Sequence, residues 1–425
     1  MTTQCHSPAL ARKSGVNPSV VRGSPACADE AATARRRPDP AQRSARSGDR
    51  RRTQVRNAFH RDLVRWYQQH QRKLPWRATH DPYKIWVSEI MLQQTRVDVV
   101  RDYYQRWIDA FPTIESLAKA PYQRVLKLWE GLGYYTRARN LHRAAKLVAG
   151  RDGPPGRPNR RRARLRGRSH FGAAKARRPA RVLFTESRPT TAHLPHTIEG
   201  LRRLPGIGRY TAGAIASIAF GQRVPLVDGN VARVFARVFG IRADVTKPTT
   251  HKLLWDLAAE ILPGNDPGTF NQALMELGAL ACTPVNPRCE SCPLGRVCIA
   301  RAKGQQDELP NRGRKRRLKP VTQDAALMRR KGCILLRRRP ARGLLAGLWE
   351  LPPLEKRQLP RRRPLLTLRH TITNRRITLR VFACEPFVPP QCNGRLRWAS
   401  RKDLARLALP AAHRRALERI EFLRP

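Results

Sequence analysis

The chain has 425 residues, with 85 Lys and Arg against 31 Asp and Glu, a formal net charge of +54. That balance argues against an acidic binding module and points to polyanionic partners, nucleic acid first and an anionic membrane surface second. No apolar run reaches the roughly 18 residues of a membrane-spanning helix, and the first residues lack the apolar core of a secretory leader, so an intracellular protein with no membrane association is expected.

Residues 1–52 are rich in Arg, Pro, Ser and Ala, with little apolar periodicity, and read as a disordered basic tail. Residues 53–300 form the next region, mainly α-helical. Apolar residues recur at helical spacing over 57–70, 83–108, 113–120, 122–129 and 136–149, then over 197–203, 209–220, 229–239, 249–262 and 268–281. Between the two sets, 151–190 carry 13 Lys and Arg against only Asp152 and Glu186, which reads as a disordered basic insertion. Much of the net charge therefore sits in tails, where it adds nonspecific affinity. Residues 301–320 read as a basic linker. In 321–425 the short alternating runs 332–337, 365–368 and 376–383 indicate strands of a smaller α+β domain.

The densest chemical signal is Cys282, Cys289, Cys292 and Cys298, spaced C-x6-C-x2-C-x5-C within 17 residues. Zinc ribbons pair two C-x2-C knuckles across a longer gap, whereas iron–sulfur clusters are held by four closely spaced thiolates. The spacing predicts a [4Fe–4S] cluster, with a four-thiolate zinc site as the alternative. The other five cysteines are scattered, and a thiolate cluster fits a reducing compartment.

Three further segments bear on chemistry. LPGIGRYTAG (204–213) places Gly206 and Gly208 in a tight turn between helices, where backbone N–H groups can meet a phosphate, though a plain helix–helix turn reads equally well. Asp228 in VPLVDGNVARVF precedes a helix as an N-cap would, and N–H bonds to its carboxylate favour the charged form. Glu89 lies in an otherwise mostly apolar helix, where desolvation would hold its proton near neutrality. Two carboxyls pushed in opposite directions suit glycosidic cleavage, one protonating the leaving group and the other facing an oxocarbenium-like centre.

The hairpin, VDGNVARV and the cysteine loop together resemble the helix-hairpin-helix DNA glycosylases that carry an iron–sulfur cluster. LPWR (74–77), WVSEIMLQQTRV (86–97), LWEGLGYYTRARNLH (128–142) and FNQALMELGALAC (270–282) are similar to the A/G-specific adenine glycosylases of the MutY type. GLLAGLWELP (343–352) and LRHTITNRRITL (368–379) resemble that family's Nudix-like C-terminal domain. The resemblance covers about 57–150 and 195–400. It implies a six-helix barrel with a cluster domain, then an α+β lesion-recognition domain, acting as a monomer on duplex DNA with an A:8-oxoguanine or A:G mispair. Another damaged base, or a non-catalytic cluster protein that binds DNA, are the rival readings.

By the same resemblance Glu89 would protonate adenine, Asp228 would stabilise the sugar cation and Tyr210 would lie beside both. Trp76, Arg77 and Gln272 would line the adenine pocket, while Gln94 and Tyr134 would fill the space near the opposite base. Endonuclease III-type relatives carry a Schiff-base lysine where this chain has Tyr210, which implies base removal without strand cleavage. Two departures stand out. Ile372-Thr373-Asn374 replaces a Phe-Ser-His triplet, leaving the Thr373 hydroxyl to face 8-oxoguanine, and no R-E-x-x-E-E signature of Nudix hydrolases is present.

Overall fold

The computed structural model describes residues 56–57, 59–150, 193–313, 317–386 and 395–420. The expectations for 1–52 and 151–190 therefore fall outside the described residues. A helix over 59–70 (α1) precedes a 3-10 turn at Pro75–Arg77 and the helices α2 Pro82–Leu92, α3 Val97–Ala110, α4 Ile114–Lys119, α5 Tyr122–Leu128 and α6 Thr136–Val148. After the insertion come α7 Ile198–Arg202, α8 Arg209–Ile218, α9 Gly229–Val238, α10 Pro248–Ile261, α11 Pro267–Leu280 and α12 Ile299–Ala302.

Local chemistry starts several of these helices. Asp81 caps α2, accepting from the Tyr83 and Lys84 amides at 2.8 and 3.3 Å, with Pro82 in the first turn. Thr113 and Ser116 form a reciprocal capping box on α4. The single helical stretch expected over 83–108 is broken at Gln93–Arg96, where Gln94 takes φ 58°. The end of the first helix is held by a residue far along the chain. The Arg137 guanidinium donates to the carbonyls of Ile90 and Met91 at 3.0 and 2.8 Å, and to that of Gln93. These are carbonyls that the last turn of a helix leaves without intrahelical partners, so the guanidinium caps the end of α2.

One core unites the helices. Trp86, Trp107 and Trp129 are wholly buried, the last two edge-on at 5.4 Å. Phe59 of α1 packs with Phe239 and Phe270 at 6.3 and 6.2 Å, so the first helix closes against the last ones. Gly278 lets α11 touch α9 directly, since a Cβ there would stand 2.5 Å from that of Asn230.

The second domain holds two sheets. Strands β1 Lys319–Leu327, β6 Arg375–Ala383 and β5 Leu366–Ile372 form one, with β1 parallel and β5 antiparallel to β6. In the other, β3 Cys333–Arg338 pairs with β2 Arg329–Arg330, β4 Trp349–Glu350 and β7 Leu396–Ala399. Helices α13 Arg401–Arg406 and α14 Ala411–Arg419 complete it. The expected linker 301–320 is not a free spacer over its described part. Leu309 is buried, Arg237 donates to its carbonyl at 2.9 Å, and β1 already begins at Lys319. The domains share packing, because Leu348 and Ala408 join the helical core. Arg414 of α14 pairs with Glu130, which also takes Lys127 at 2.7 Å and the Leu409 amide at 3.3 Å.

Gly278→Ala would force α11 and α9 apart against Asn230 backbone 3.1 Å away. It is expected to cost about 1–3 kcal/mol, measured as a lower urea midpoint at unchanged m-value.

Candidate active site

Helices α2, α8, α9 and α11 and the Pro75–Arg77 turn enclose a cavity of about 560 Å³, within the usual range for small-ligand sites of about 300–1,000 Å³. Its walls bring together Trp76, Arg77, Glu89, Gln94, Tyr210, Asp228 and Gln272 from five separate segments. Tyr134, Thr373, Gly206 and Gly208 lie outside these walls.

Glu89 is 6% exposed, and its Oε2 is buried without a hydrogen-bond partner. Burial pushes its carboxyl up to about 7; the Tyr210 hydroxyl and Arg77 lower it in part, while Asp228 raises it further. Asp228 caps α9. Its Oδ1 accepts from the Asn230 and Val231 amides at 2.9 and 2.7 Å, and its Oδ2 accepts from the Asn230 side chain at 3.0 Å. The expectation that these bonds depress Asp228 is corrected: burial outweighs them and its carboxyl is also raised. The two acids differ in bonding, not in direction of shift. Asp228 has both oxygens satisfied as an acceptor, whereas Glu89 keeps one bare.

The Tyr210 hydroxyl donates to the Met275 sulfur at 3.1 Å, and burial raises its own ionisation well above the ordinary range, so it remains a neutral donor. Arg77 reaches the cavity with its charge already committed. It donates to both Glu276 oxygens at 2.8 and 2.6 Å, and Arg72 does likewise at 2.9 and 2.7 Å. The two guanidiniums outweigh burial and hold the Glu276 carboxyl down at about 2. Gln272 accepts from Tyr67 at 3.4 Å, and Trp76 packs edge-on to Tyr104 at 5.2 Å. The sequence reading missed Glu276. Its signal was a lone acid four residues after Gln272, on the same face of an apolar helix.

Arg137 was missed too. Besides the end of α2 it donates to Thr95 Oγ1 at 3.0 Å and to the carbonyls of Leu132 and Gly133 at 3.0 and 3.3 Å. One buried guanidinium thus ties the Gln94 loop to the Tyr134 loop. Both residues have left-handed backbones, φ 58° and 46°, and Tyr134 is 45% exposed. Burial without a carboxylate lowers Arg137 to about 10. Gly206, at φ 86°, seats the hairpin turn on Asn140 of α6, while Gly208 leaves open space before α8. Thr373 sits exposed at the β5–β6 turn with φ 54°, its hydroxyl donating to the Ile372 carbonyl at 2.7 Å.

Cys282, Cys289, Cys292 and Cys298 line one cavity together with Arg237 and Arg301. Among the described residues no three His, Cys, Asp or Glu converge on a single point as around one metal ion. Burial and the neighbouring thiols hold the Cys289 and Cys292 thiols up. The loop is pinned to α9. Arg233 donates to the Cys282 carbonyl at 2.7 Å, and Arg237 to that of Thr283 at 2.7 Å and to the Cys282 sulfur at 3.4 Å.

Two outcomes follow from this geometry. Glu89 has a folded value of about 7 against an ordinary 4.5, so folding favours its neutral form, and that stability is lost as pH rises through about 7. Glu89→Gln carries no charge to desolvate. It is expected to melt above the parent at about pH 8, by up to 2–3 kcal/mol, with the gap closing near pH 5 in paired thermal scans. Arg137→Lys keeps the charge but lacks the planar fork. It should cost about 2–4 kcal/mol by denaturant titration and raise hydrogen exchange in both the Gln94 and Tyr134 loops together.

Residues 87–260 match the family model for the HhH-GPD superfamily base excision DNA repair protein, and residues 324–419 match that for the NUDIX domain. The adenine DNA glycosylase of Homo sapiens is 37% identical over 349 residues, 69% of this chain and 57% of its own length. That of Schizosaccharomyces pombe is 33% identical over 356 residues, 70% of this chain and 69% of its own. A solved thermostable thymine-DNA glycosylase is 27% identical over 59% of this chain and 98% of its own, with a TM-score of 0.46. The chain spans 57–60% of the length of the human, rat and mouse relatives. With the yeast relative covered over more than two thirds of its length, and with the helical and sheet domains each matched in place, the chain belongs to the adenine DNA glycosylase family.

Proposed function

We propose that this protein removes adenine mispaired with 8-oxoguanine or guanine in duplex DNA. It hydrolyses the N-glycosidic bond, leaves the strand intact, acts as a monomer and carries a resident [4Fe–4S] cluster. One observation carries the reading: Glu89, held up to about 7 with a bare buried oxygen, shares a cavity with an Asp228 whose oxygens accept three hydrogen bonds.

Adenine must leave the stack, because its glycosidic bond is out of reach within a duplex. Trp76, Arg77 and Gln272 supply the walls that receive it. Glu89 delivers its proton to the base as the bond stretches, which turns a poor leaving group into a neutral one. Asp228, the better-bonded acid, carries the negative charge beside the sugar as positive charge develops there. Tyr210 offers a neutral hydroxyl and no amine, so no Schiff base forms and no strand break follows. Gln94 and Tyr134, on loops joined by Arg137, face the gap the extruded base leaves. Thr373, at a turn of the sheet domain, contributes to the preference for 8-oxoguanine.

Cys282, Cys289, Cys292 and Cys298 would hold the cluster; their C-x6-C-x2-C-x5-C spacing and the cavity they line together support this reading. When bound, it supplies a fixed body without an open coordination position. The chain's own arginines do the rest, with Arg233 and Arg237 fastening the loop to the helix that Asp228 caps. Gly206 and Gly208 present the hairpin backbone to phosphate.

The test is a single-turnover assay on A:8-oxoguanine, A:G, A:T and thymine-glycol duplexes at stated salt, with and without alkali. Adenine release is expected from the first two, with strand breaks only after alkali. The rate should fall about tenfold per unit above about pH 7, as Glu89 loses its proton. Glu89→Gln should lose on the order of 10³-fold or more. Parent-like release by that variant, faster attack on thymine glycol, or nicking before alkali would each refute the assignment.

A further inference from the structure

A second cleft, of about 450 Å³, opens between α6 and the sheet domain and shares no wall with the pocket above. Arg139, Arg143 and Lys146 line it from α6; Arg338, Arg339 and Arg395 line it from the other side. No carboxylate among the described residues faces it. Arg339 shares Glu350 with Arg337, and Arg139 is engaged by the Tyr122 hydroxyl and the Ala346 carbonyl at 3.3 and 3.4 Å. Arg143, Lys146, Arg338 and Arg395 form no ion pair among the described residues.

Elsewhere several partly buried cations have a carboxylate partner, while Arg137, Arg233 and Arg237 donate instead to backbone carbonyls. Arg72 and Arg77 share Glu276, Lys127 and Arg414 share Glu130, Arg337 has Glu350, and Arg380 has Asp324. In this cleft six basic side chains from α6 and the sheet domain line the walls, and no carboxylate among the described residues lines it with them. Such an arrangement opposes the docking of the domains unless an anion neutralises it. Three of the four unpaired cations are arginines, whose planar forks match phosphate oxygens, and the fourth is a lysine point charge. The volume is that of a small ligand and not of a duplex.

We propose that this cleft binds a compact oligophosphate, a chain of about three phosphates, which bridges α6 and the sheet domain. This inference is independent of the glycosylase reading. The probe is inorganic tripolyphosphate, titrated calorimetrically into the full chain at about 0.2 M salt, where diffuse surface binding is screened. One site per chain is expected. The triple variant Arg143→Ala/Lys146→Ala/Arg338→Ala should weaken it at least about tenfold. Arg101→Ala/Arg361→Ala, on exposed residues elsewhere, should change it less than about twofold. Adenine release and duplex affinity of the triple variant should stay within about twofold of the parent. Should the triple variant melt early, the single exchange Arg143→Glu, on an exposed side chain, repeats the test with the same expected loss. Several weak sites, equal loss in the control variant, or a matching loss of duplex affinity that would make the cleft part of the DNA surface would each overturn the proposal.

Discussion

Desolvation of two carboxyls in one cavity is the constraint on which the rest of this structure turns. Each acid resists ionisation because water is scarce around it, and the Asp228 carboxylate makes ionisation of Glu89 harder still. An unpaired buried carboxylate costs several kcal/mol, so the fold must either neutralise the group or surround it with donors. It does one for each acid. Glu89, on α2 among Trp86, Ile90 and Met91, has a bare oxygen and is favoured neutral. Asp228, at the start of α9, receives two backbone amides and one side-chain amide. The asymmetry arises from where each sits on its helix, since a helix start offers free N–H groups and a helix middle offers none.

Holding that asymmetry falls largely to arginines that donate to backbone carbonyls. Arg137 terminates α2 just beyond Glu89, and Arg233 and Arg237 tie α9 to the cysteine loop. Buried guanidiniums without carboxylates suit this role, because five fixed donors can satisfy several carbonyls that no helix or sheet will take. Glu276 works in the opposite sense. Its two arginines draw their charge away from the acids, so that Arg77 lowers Glu89 only weakly although it lines the same cavity.

Most helices are legible in the sequence because caps and apolar spacing are local. Glu89 stood out as a charge in an apolar run, and Asp228 as a cap. Non-local features were not legible. Arg137 is one of 85 basic residues, and its contacts on α2 and the Gln94 loop lie 42–47 positions away, so nothing nearby marks it as structural. The capping of the end of α2 by that arginine was hidden with it. Asp228's shift was misjudged because spacing reveals hydrogen-bond partners but not how much water remains. Strand β1 begins with Lys-Pro and polar residues, and it is a strand because β6 lies parallel beside it in register from Lys319 opposite Arg375 to Leu327 opposite Ala383.

The sheet domain acts on the pocket through the Trp129–Tyr135 loop. That loop carries Tyr134 at φ 46°, a left-handed backbone that costs a residue with a side chain and persists only when its surroundings hold it, while Gly131 at φ 102° and Gly133 at 71° take the same region freely. Its supports come from both domains. Trp129 donates to the Gly133 carbonyl at 2.9 Å, Tyr103 to that of Glu130 at 2.6 Å, and Arg137 to Leu132 and Gly133. From the other side, Arg414 and the Leu409 amide grip the Glu130 carboxylate, and Tyr135 donates to the Leu409 carbonyl at 3.5 Å. Loss of the sheet domain would leave Glu130 with Lys127 alone and release one end of the strained loop. Its other end, through Arg137, is joined to the helix that carries Glu89. The sheet domain is therefore coupled mechanically to the acid, in addition to any contact its own β5–β6 turn makes.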